Sequence, residues 1–203
     1  MDNQNVRILK NLPSSVSLKG KRTTTKAIRI PGSIDQVLQL EAKNRNISVN
    51  GLVTSILTKF AEWDRYAERF GFVTIPNQIL KKLVTVADES TIAQVASELG
   101  PELLGSEVTF WYKQATLESF IEWFSTFTRY SGLHKTEITR TDGEYVIVLK
   151  HELDRNWSIF LKYYFDTAFK ARLGITLETE IDQYQVLLRL PSTSPKSPAR
   201  TSP

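Results

Sequence analysis

The sequence contains no cysteine, which excludes disulfide bonds, thiolate metal sites and cysteine nucleophiles. Histidine is almost as scarce, because the chain of 203 residues has only His134 and His151. Neither lies at a spacing typical of metal ligands, and we expect both to be structural. No glycine-rich phosphate loop, Gly-x-Ser-x-Gly motif or metalloprotease helix occurs either. The sequence therefore predicts a protein that is not an enzyme and has neither a metal site nor a cofactor.

Long hydrophobic runs are also absent. No segment approaches the roughly 18 consecutive apolar residues that a membrane-spanning helix needs, and residues 1–22 lack the apolar stretch of a secretory signal. The apolar fraction is 41% and the charged fraction 24%, both ordinary for a soluble globular protein. We therefore expect a soluble, cytoplasmic protein with no membrane partner.

Positive charge is concentrated near the beginning of the chain. Residues 1–70 contain 12 Lys and Arg against 6 Asp and Glu, whereas residues 71–203 contain 14 against 16. Residues 1–32 alone contain 7 basic residues and a single acidic one, Asp2. A basic end on an otherwise balanced chain favours a polyanionic partner such as DNA, although a solvated basic tail would have the same composition.

Composition also divides the chain into segments. Residues 1–22 are polar, contain the basic run KGKR, and are predicted to form a flexible basic arm. The repeated Ser/Thr-Pro pattern of residues 192–203 predicts a disordered tail. Gly71 is a suitable C-cap, and it separates a first ordered domain, residues 23–71, from a second one, residues 72–191.

The first domain begins with a short predicted strand that has no partner nearby in the sequence. Alternation along TTTKAIRI places Ile28 and Ile30 on the face that can pack on a core. Pro31 ends the strand, because proline cannot donate a ladder hydrogen bond. Ser33 is then predicted to cap a first helix, with Gln36 completing a capping box.

A second, longer helix is predicted to begin after a Ser48 cap and to end at Gly71. The domain of about 50 residues is too small to bury a stable core by itself, and a lone strand exposes its hydrogen-bonding groups. Both deficits disappear if two chains pair their strands antiparallel and interlock their helices. We therefore predict a homodimer, and the sequence leaves open whether dimers pair into tetramers. The apolar stripe of the second helix comprises Leu52, Ile56, Phe60, Trp63 and Phe70.

The order of strand, proline break, capped helix, tight turn and second helix resembles the ribbon-helix-helix DNA-binding family of the MetJ and Arc type. The resemblance covers residues 24–70 and rests on the segments KAIRIPGSID and RNISVNGLVTSIL. The turn of that family usually reads Gly, apolar, Ser, x, Ser or Asn, small, and here Asn46 replaces the glycine. Asparagine tolerates the left-handed backbone conformation that this position is expected to need.

The resemblance implies that two copies form an antiparallel ribbon that lies in the major groove of double-stranded DNA. The strand face opposite the two isoleucines would then meet the bases. This face comprises Thr25, Ala27 and Arg29. Arg29 could donate two hydrogen bonds to guanine, Thr25 could bond a base or touch a thymine methyl group, and Ala27 offers only apolar contact. A surface salt bridge is the alternative role for Arg29.

Phosphate groups would be contacted at two further places under this resemblance. The amides at the start of the second helix would bind phosphate, since helix N-termini favour anions. These amides belong to the segment around Ser48, Val49 and Asn50. Basic residues of the arm would add salt-sensitive contacts that do not depend on DNA sequence. They are Lys19, Lys21 and Arg22.

The second domain is predicted to be α+β, α-rich at first and then ordered ββαββ with an antiparallel sheet. Hairpin turns are predicted at Asp142–Gly143 and around residues 181–183. One helix, over ESTIAQVASEL, is predicted to begin after Asp88 and to end at Gly100–Pro101. The many aromatic side chains must mostly form the core, and some could line a pocket for a small-molecule effector or a dimer interface.

The favoured hypothesis is a homodimeric, sequence-specific DNA-binding transcription regulator, such as a repressor, whose second domain serves effector sensing or oligomerisation. The alternative is a protein-interaction module, antitoxin-like or a scaffold. In that case the ribbon serves dimerisation and the second domain binds a partner protein. The size of the second domain argues against a simple antitoxin, whose toxin-binding part is typically a short flexible tail.

Overall fold

A computed structural model of the protein describes residues 23–141 and 143–191. The predicted basic arm, residues 1–22, and the predicted Ser/Thr-Pro tail, residues 192–203, lie outside that part of the chain. Asp142, the first residue of a predicted hairpin turn, lies outside it as well.

The chain divides between Phe72 and Val73 into two compact units, which we call unit 1 and unit 2. Unit 1 begins with residues 23–31, which have no regular secondary structure and are exposed. The predicted strand is therefore not formed in a single copy. No described strand of that copy pairs with residues 23–31. A π-helical turn, Phe60–Asp64, connects two of the helices of unit 1, Val49–Lys59 and Arg65–Phe70, without a break. The helices of unit 1 are α1 (Gly32–Asn44), α2 (Val49–Lys59) and α3 (Arg65–Phe70).

The predicted Ser33 cap of α1 was wrong. The helix begins at Gly32, directly after Pro31, and no side chain caps it. The Pro31 carbonyl instead accepts hydrogen bonds from the amides of Ile34 and Asp35, at 3.0 and 3.1 Å. Because the carbonyl that opens the helix belongs to Pro31, Ser33 lies inside the first turn, where it cannot act as the N-cap.

The turn between α1 and α2 is a Schellman motif. Asn46 has a left-handed backbone, with φ of 54°. Its amide donates to the Lys43 carbonyl at 3.1 Å, and the Ile47 amide donates to the Ala42 carbonyl at 3.0 Å, which are the two hydrogen bonds of that motif. Ser48 then caps α2 through its hydroxyl group. The left-handed Asn46 and the Ser48 cap were both predicted, and both are confirmed.

We expect Asn46→Ala to lower the stability of unit 1, because a left-handed alanine costs roughly 1–2 kcal/mol, more than asparagine does. Asn46→Gly should be neutral or slightly stabilising, because glycine adopts this conformation freely. Denaturant unfolding followed by circular dichroism measures both variants. Equal destabilisation by alanine and glycine would contradict a backbone role for this residue.

Unit 2 has the predicted α+β architecture, with helices first and then the order ββαββ. Its four strands pair antiparallel in the order β1-β2-β4-β3. Hairpins join β1 to β2 and β3 to β4 at the two predicted places. The helices are α4 (Asn77–Val86), α5 (Glu89–Leu99), α6 (Gly105–Tyr112), α7 (Leu117–Ser131) and α8 (Arg155–Leu173). The strands are β1 (Lys135–Thr141), β2 (Glu144–Lys150), β3 (Glu178–Ile181) and β4 (Gln185–Pro191).

The predicted helix over ESTIAQVASEL is formed as α5, which ends at Leu99 directly before Gly100–Pro101, but the chain stays helical beyond it. The backbone continues from α5 through a π-helical turn, Gly100–Leu104, directly into α6. Gly100 is buried against α8, where an added Cβ would clash with the Tyr164 carbonyl oxygen. This glycine therefore follows the last residue of α5 and also permits a close approach of α8.

The core of unit 2 lies between the sheet and its helices and includes a cluster of aromatic side chains. Phe120 on α7 meets Phe169 on α8 with ring centroids 4.8 Å apart. Phe124 and Phe165, on the same two helices, are separated by 4.9 Å. The sheet contributes alternate side chains of its two central strands, as expected when one face is buried. The buried sheet residues are Ile147, Leu149, Val186, Leu188 and Leu190.

Candidate nucleic-acid interface

The exposed segment 23–31 contains the residues predicted to contact bases. Its charged side chains are Lys26 and Arg29, and it has no acidic residue. Because the segment is not paired as a strand in a single copy, its side chains are not held alternately on two opposite faces. Ile28 and Ile30, predicted to pack on a core, are exposed as well. The predicted base-contacting residues are all exposed: Thr25, Ala27 and Arg29.

The predicted phosphate-binding residues of α2 lie together at its first turn. Ser48 is extended, with φ of −72° and ψ of 151°, and its hydroxyl accepts a hydrogen bond from the Gly51 amide at 3.0 Å. Val49 is half-buried and Asn50 is exposed. The first amides of a helix have no acceptor within the helix and point along its axis. This turn therefore has the geometry that favours an anion.

The remaining predicted phosphate contacts, from Lys19, Lys21 and Arg22, lie outside the described residues. These contacts remain predictions.

Unit 1 has a small core and a large exposed apolar surface. Its buried hydrophobic residues are Ala42, Leu52, Trp63, Tyr66 and Ala67. Nine other apolar side chains are 40–66% exposed, and we call them the apolar face of unit 1. The face comprises Ile28, Ile30, Ile34, Val37, Leu40, Ile47, Ile56, Leu57 and Phe60. A single copy thus leaves in water most of the apolar side chains that such a domain would need for a core.

The apolar face borders the contact between α1 and α2. On α1, Ala42 is buried and Leu38 half-buried, whereas Ile34 and Val37 lie beside them on the helix and are exposed. Residues three and four apart share one side of a helix, so the apolar arc of α1 is wider than the area that α2 covers. The predicted stripe of α2 is divided in the same way, since Leu52 is buried and its neighbours Ile56 and Phe60 are exposed.

The two histidines of unit 2 lie side by side at one end of the sheet. His134 directly precedes Lys135 of β1 and His151 directly follows Lys150 of β2, and these two lysines are paired. Both histidines are buried. His134 Nδ1 lies 3.1 Å from the Thr136 hydroxyl, and His151 Nε2 lies 2.9 Å from the Ser158 hydroxyl. The ring of His134 also stacks on Phe127.

Both imidazoles are held neutral by their surroundings. Burial lowers the pKa of His134 to about 4, and the neighbouring His151 acts in the same direction. Burial also lowers the pKa of His151 to about 4, against the opposing effect of the Asp154 carboxylate. At neutral pH the pair therefore consists of two uncharged, buried rings.

Glu107 on α6 is a buried carboxyl group that sequence reasoning missed. The helical spacing of its apolar neighbours could have indicated burial. Leu104 lies three residues before Glu107, Val108 lies next to it, and Trp111 lies four residues after it. All three are buried. A charged residue inside such a pattern faces the core or its edge.

Comparison with known proteins adds no assignment, since no family model matches the chain and no curated protein matches its sequence. Within residues 23–141 and 143–191, no helix is long and apolar enough to cross a bilayer. In the same ranges, no three or more His, Cys, Asp or Glu side chains are arranged to hold a metal ion.

Proposed function

We propose that the protein is a homodimeric, sequence-specific DNA-binding transcription regulator of the ribbon-helix-helix type. The observation that carries the proposal is the apolar face of unit 1, which a second copy would cover. The Schellman turn at Asn46 and the cap at Ser48 support it, because they connect α1 to α2 by a tight turn and a capped helix, as in the pattern of the family. The basic segment in front of α1 gives the dimer a surface suited to DNA.

In the proposed dimer, residues 23–30 of two copies pair antiparallel and supply each other's ladder hydrogen bonds. Ile28 and Ile30 then turn inward onto the apolar side chains of α1 and α2. Burial of a large apolar side chain is worth roughly 1.5–3 kcal/mol. Several such side chains from each copy would offset an association cost of about 4–15 kcal/mol.

The same pairing would put Thr25, Ala27 and Arg29 on the outer face of the ribbon, which fits the width of the major groove. Arg29 is the proposed reader of guanine, because its guanidinium group can donate two hydrogen bonds to one base edge. The first turn of α2 would bind a phosphate beside the ribbon. The mechanism is occupancy of an operator whose half-sites follow the two-fold axis of the dimer.

A protein-interaction module is the second candidate, and one observation favours it. Helix α4 of unit 2 exposes Ile79, Leu83 and Val86, which lie along one side of the helix. Such a side could bind a partner protein. The two candidates differ in salt dependence, because phosphate contacts make DNA affinity fall steeply with salt, whereas an apolar protein contact does not weaken in that way.

Arg29→Ala is expected to weaken binding to the preferred DNA sequence by about 1–3 kcal/mol. The preferred sequence is first selected from a random pool with the full-length protein, and affinities are then measured by fluorescence anisotropy. Lys21→Ala should instead weaken all sequences alike and lower the salt slope by about one unit.

The control for lost positive charge is Lys82→Ala, since Lys82 is an exposed lysine of unit 2. It should leave DNA affinity unchanged. If Arg29→Ala lowered the affinity for preferred and random DNA equally, Arg29 would not be a residue that reads bases. The absence of salt-dependent DNA binding by the unaltered protein would contradict the proposed function itself.

A further inference from the structure

Glu107 is a buried carboxyl group of unit 2. Its side chain is on α6, and the residue is 2% exposed. Trp123 on α7 donates a hydrogen bond from Nε1 to the Glu107 Oε2 atom at 3.1 Å. The carboxyl group thus links two helices inside a core whose other members are almost all apolar.

No described cation compensates the charge of this carboxyl group. Burial raises the pKa of Glu107 to about 7, and the hydrogen bond from Trp123 opposes this only in part. On α8, the ionisable group that interacts with it is Tyr164, whose own pKa is raised by burial and by Glu107. Arg172, the cation of α8 that lies against α6 at Gly105, donates its Nε hydrogen bond to the Pro101 carbonyl at 2.8 Å.

We propose that Glu107 is a proton switch within unit 2. In the protonated state it is a neutral acid that joins α6 to α7 in the core. When it releases its proton to solvent, a buried carboxylate remains with one hydrogen bond, and burying a charge without a partner is costly. The ionised state therefore favours movement of α6 toward water.

The backbone before Glu107 suits such a movement. The π-helical turn Gly100–Leu104 separates α6 from α5, and π-helical turns frequently occur at functional positions. Gly100 and Pro101 in this turn are held against α8 by the close approach of Tyr164 and the hydrogen bond from Arg172. We therefore expect α6 to shift beyond these two residues while α5 stays packed on α8. The inference bears on the effector sensing or oligomerisation predicted for the second domain, and its test does not require DNA.

The direction of the pH effect follows from the raised pKa. The ordinary value is 4.5 and the folded value about 7, so the folded state binds the proton more tightly than the unfolded state. The stabilisation is complete below pH 4.5 and is lost as the pH rises through 7. Between pH 6 and pH 8 the equilibrium for closing the core should fall about tenfold relative to a chain without the carboxyl group.

The test compares the full-length protein with Glu107→Gln by hydrogen exchange of peptides from α6 and α7 at pH 6, 7 and 8. Glutamine keeps a carbonyl that can accept the Trp123 hydrogen bond but cannot ionise. The ratio of the two closing equilibria, wild type over variant, should fall about tenfold across this range. The two histidines are present in both chains, so their own pH dependence cancels in the ratio.

The matched control is Glu122→Gln, because Glu122 is an exposed glutamate on α7. Its ratio to wild type should not change with pH. A constant ratio for Glu107→Gln from pH 6 to 8, or an equal slope for Glu122→Gln, would overturn the proposal.

A second measurement covers the case in which Glu107→Gln does not fold. In the infrared spectrum of the wild-type protein with ¹³C-labelled glutamate, a protonated carboxylic acid band should be present at pH 6 and lost by pH 8. Absence of that band at pH 6 would overturn the proposal. A protein that shows the pH response but does not bind DNA would leave the switch standing and overturn only the proposed regulator.

Discussion

Val37→Glu is expected to convert the proposed dimer into a monomer and to lower DNA affinity on the order of 100-fold or more. Val37 is 65% exposed in the single copy, so the substitution removes little from the core of its own unit. In the dimer the same position would be covered, and a carboxylate buried without a partner costs several kcal/mol. The dimer contains the change twice, which doubles the cost of association.

Sedimentation equilibrium gives the oligomeric state, and fluorescence anisotropy with the selected DNA site gives the affinity. The matched control is Leu83→Glu on α4, because Leu83 is 58% exposed and receives the same carboxylate in unit 2. The control should remain dimeric and keep its DNA affinity. A Val37→Glu protein that is still dimeric would show that the apolar face of unit 1 is not the dimer contact.

Acidification is expected to destabilise unit 2 through its two histidines. Each has a folded pKa of about 4 against an ordinary value of 6.5, so the unfolded state binds protons more readily. The stability that the neutral rings provide is complete above pH 6.5 and is lost as the pH falls toward 4. Each ring should then account for a loss on the order of 2–3 kcal/mol between pH 7 and pH 4.

The comparison needed is between wild type and the double variant His134→Gln and His151→Gln. The difference between their unfolding free energies should shrink as the pH falls, whereas Glu107 affects both chains equally. Because the chain has only these two histidines, their NMR signals can be followed directly and should not titrate between pH 7 and pH 5. Titration of both rings near pH 6.5 would contradict their burial as a neutral pair.

Features that depend on neighbouring residues could be predicted from the sequence. Asn46 and Ser48 act through backbone groups within a few residues, and the same is true of the Asp88 cap, whose carboxylate accepts the Thr91 amide hydrogen bond at 2.9 Å. The capping error at Ser33 arose because the Pro31 carbonyl, which no side-chain pattern signals, opens the helix. Local chemistry thus accounts for where most helices begin.

Features that depend on distant residues could not be predicted. A glycine is suited both to ending a helix and to letting another helix come close. Only the position of α8 shows that Gly100 permits such a close approach. Likewise, nothing near Glu107 in the sequence indicates that Trp123 would supply its hydrogen bond. For residues 23–30 the partner strand of the proposed dimer would come from a second copy, so the residues that would orient Arg29 are not its neighbours in the sequence.

The strand order of unit 2 has a consequence for how the protein is made. β4 is the last of the strands in residues 23–141 and 143–191, yet it lies in the interior of the sheet between β2 and β3. Until Gln185–Pro191 leaves the ribosome, β2 has a free edge, and a free apolar edge is a template for aggregation. A chain that stops before Gln185 would therefore leave the sheet without one of its two middle strands. We expect such a product to collect in inclusion bodies or to be degraded, and not to persist as a shorter folded protein.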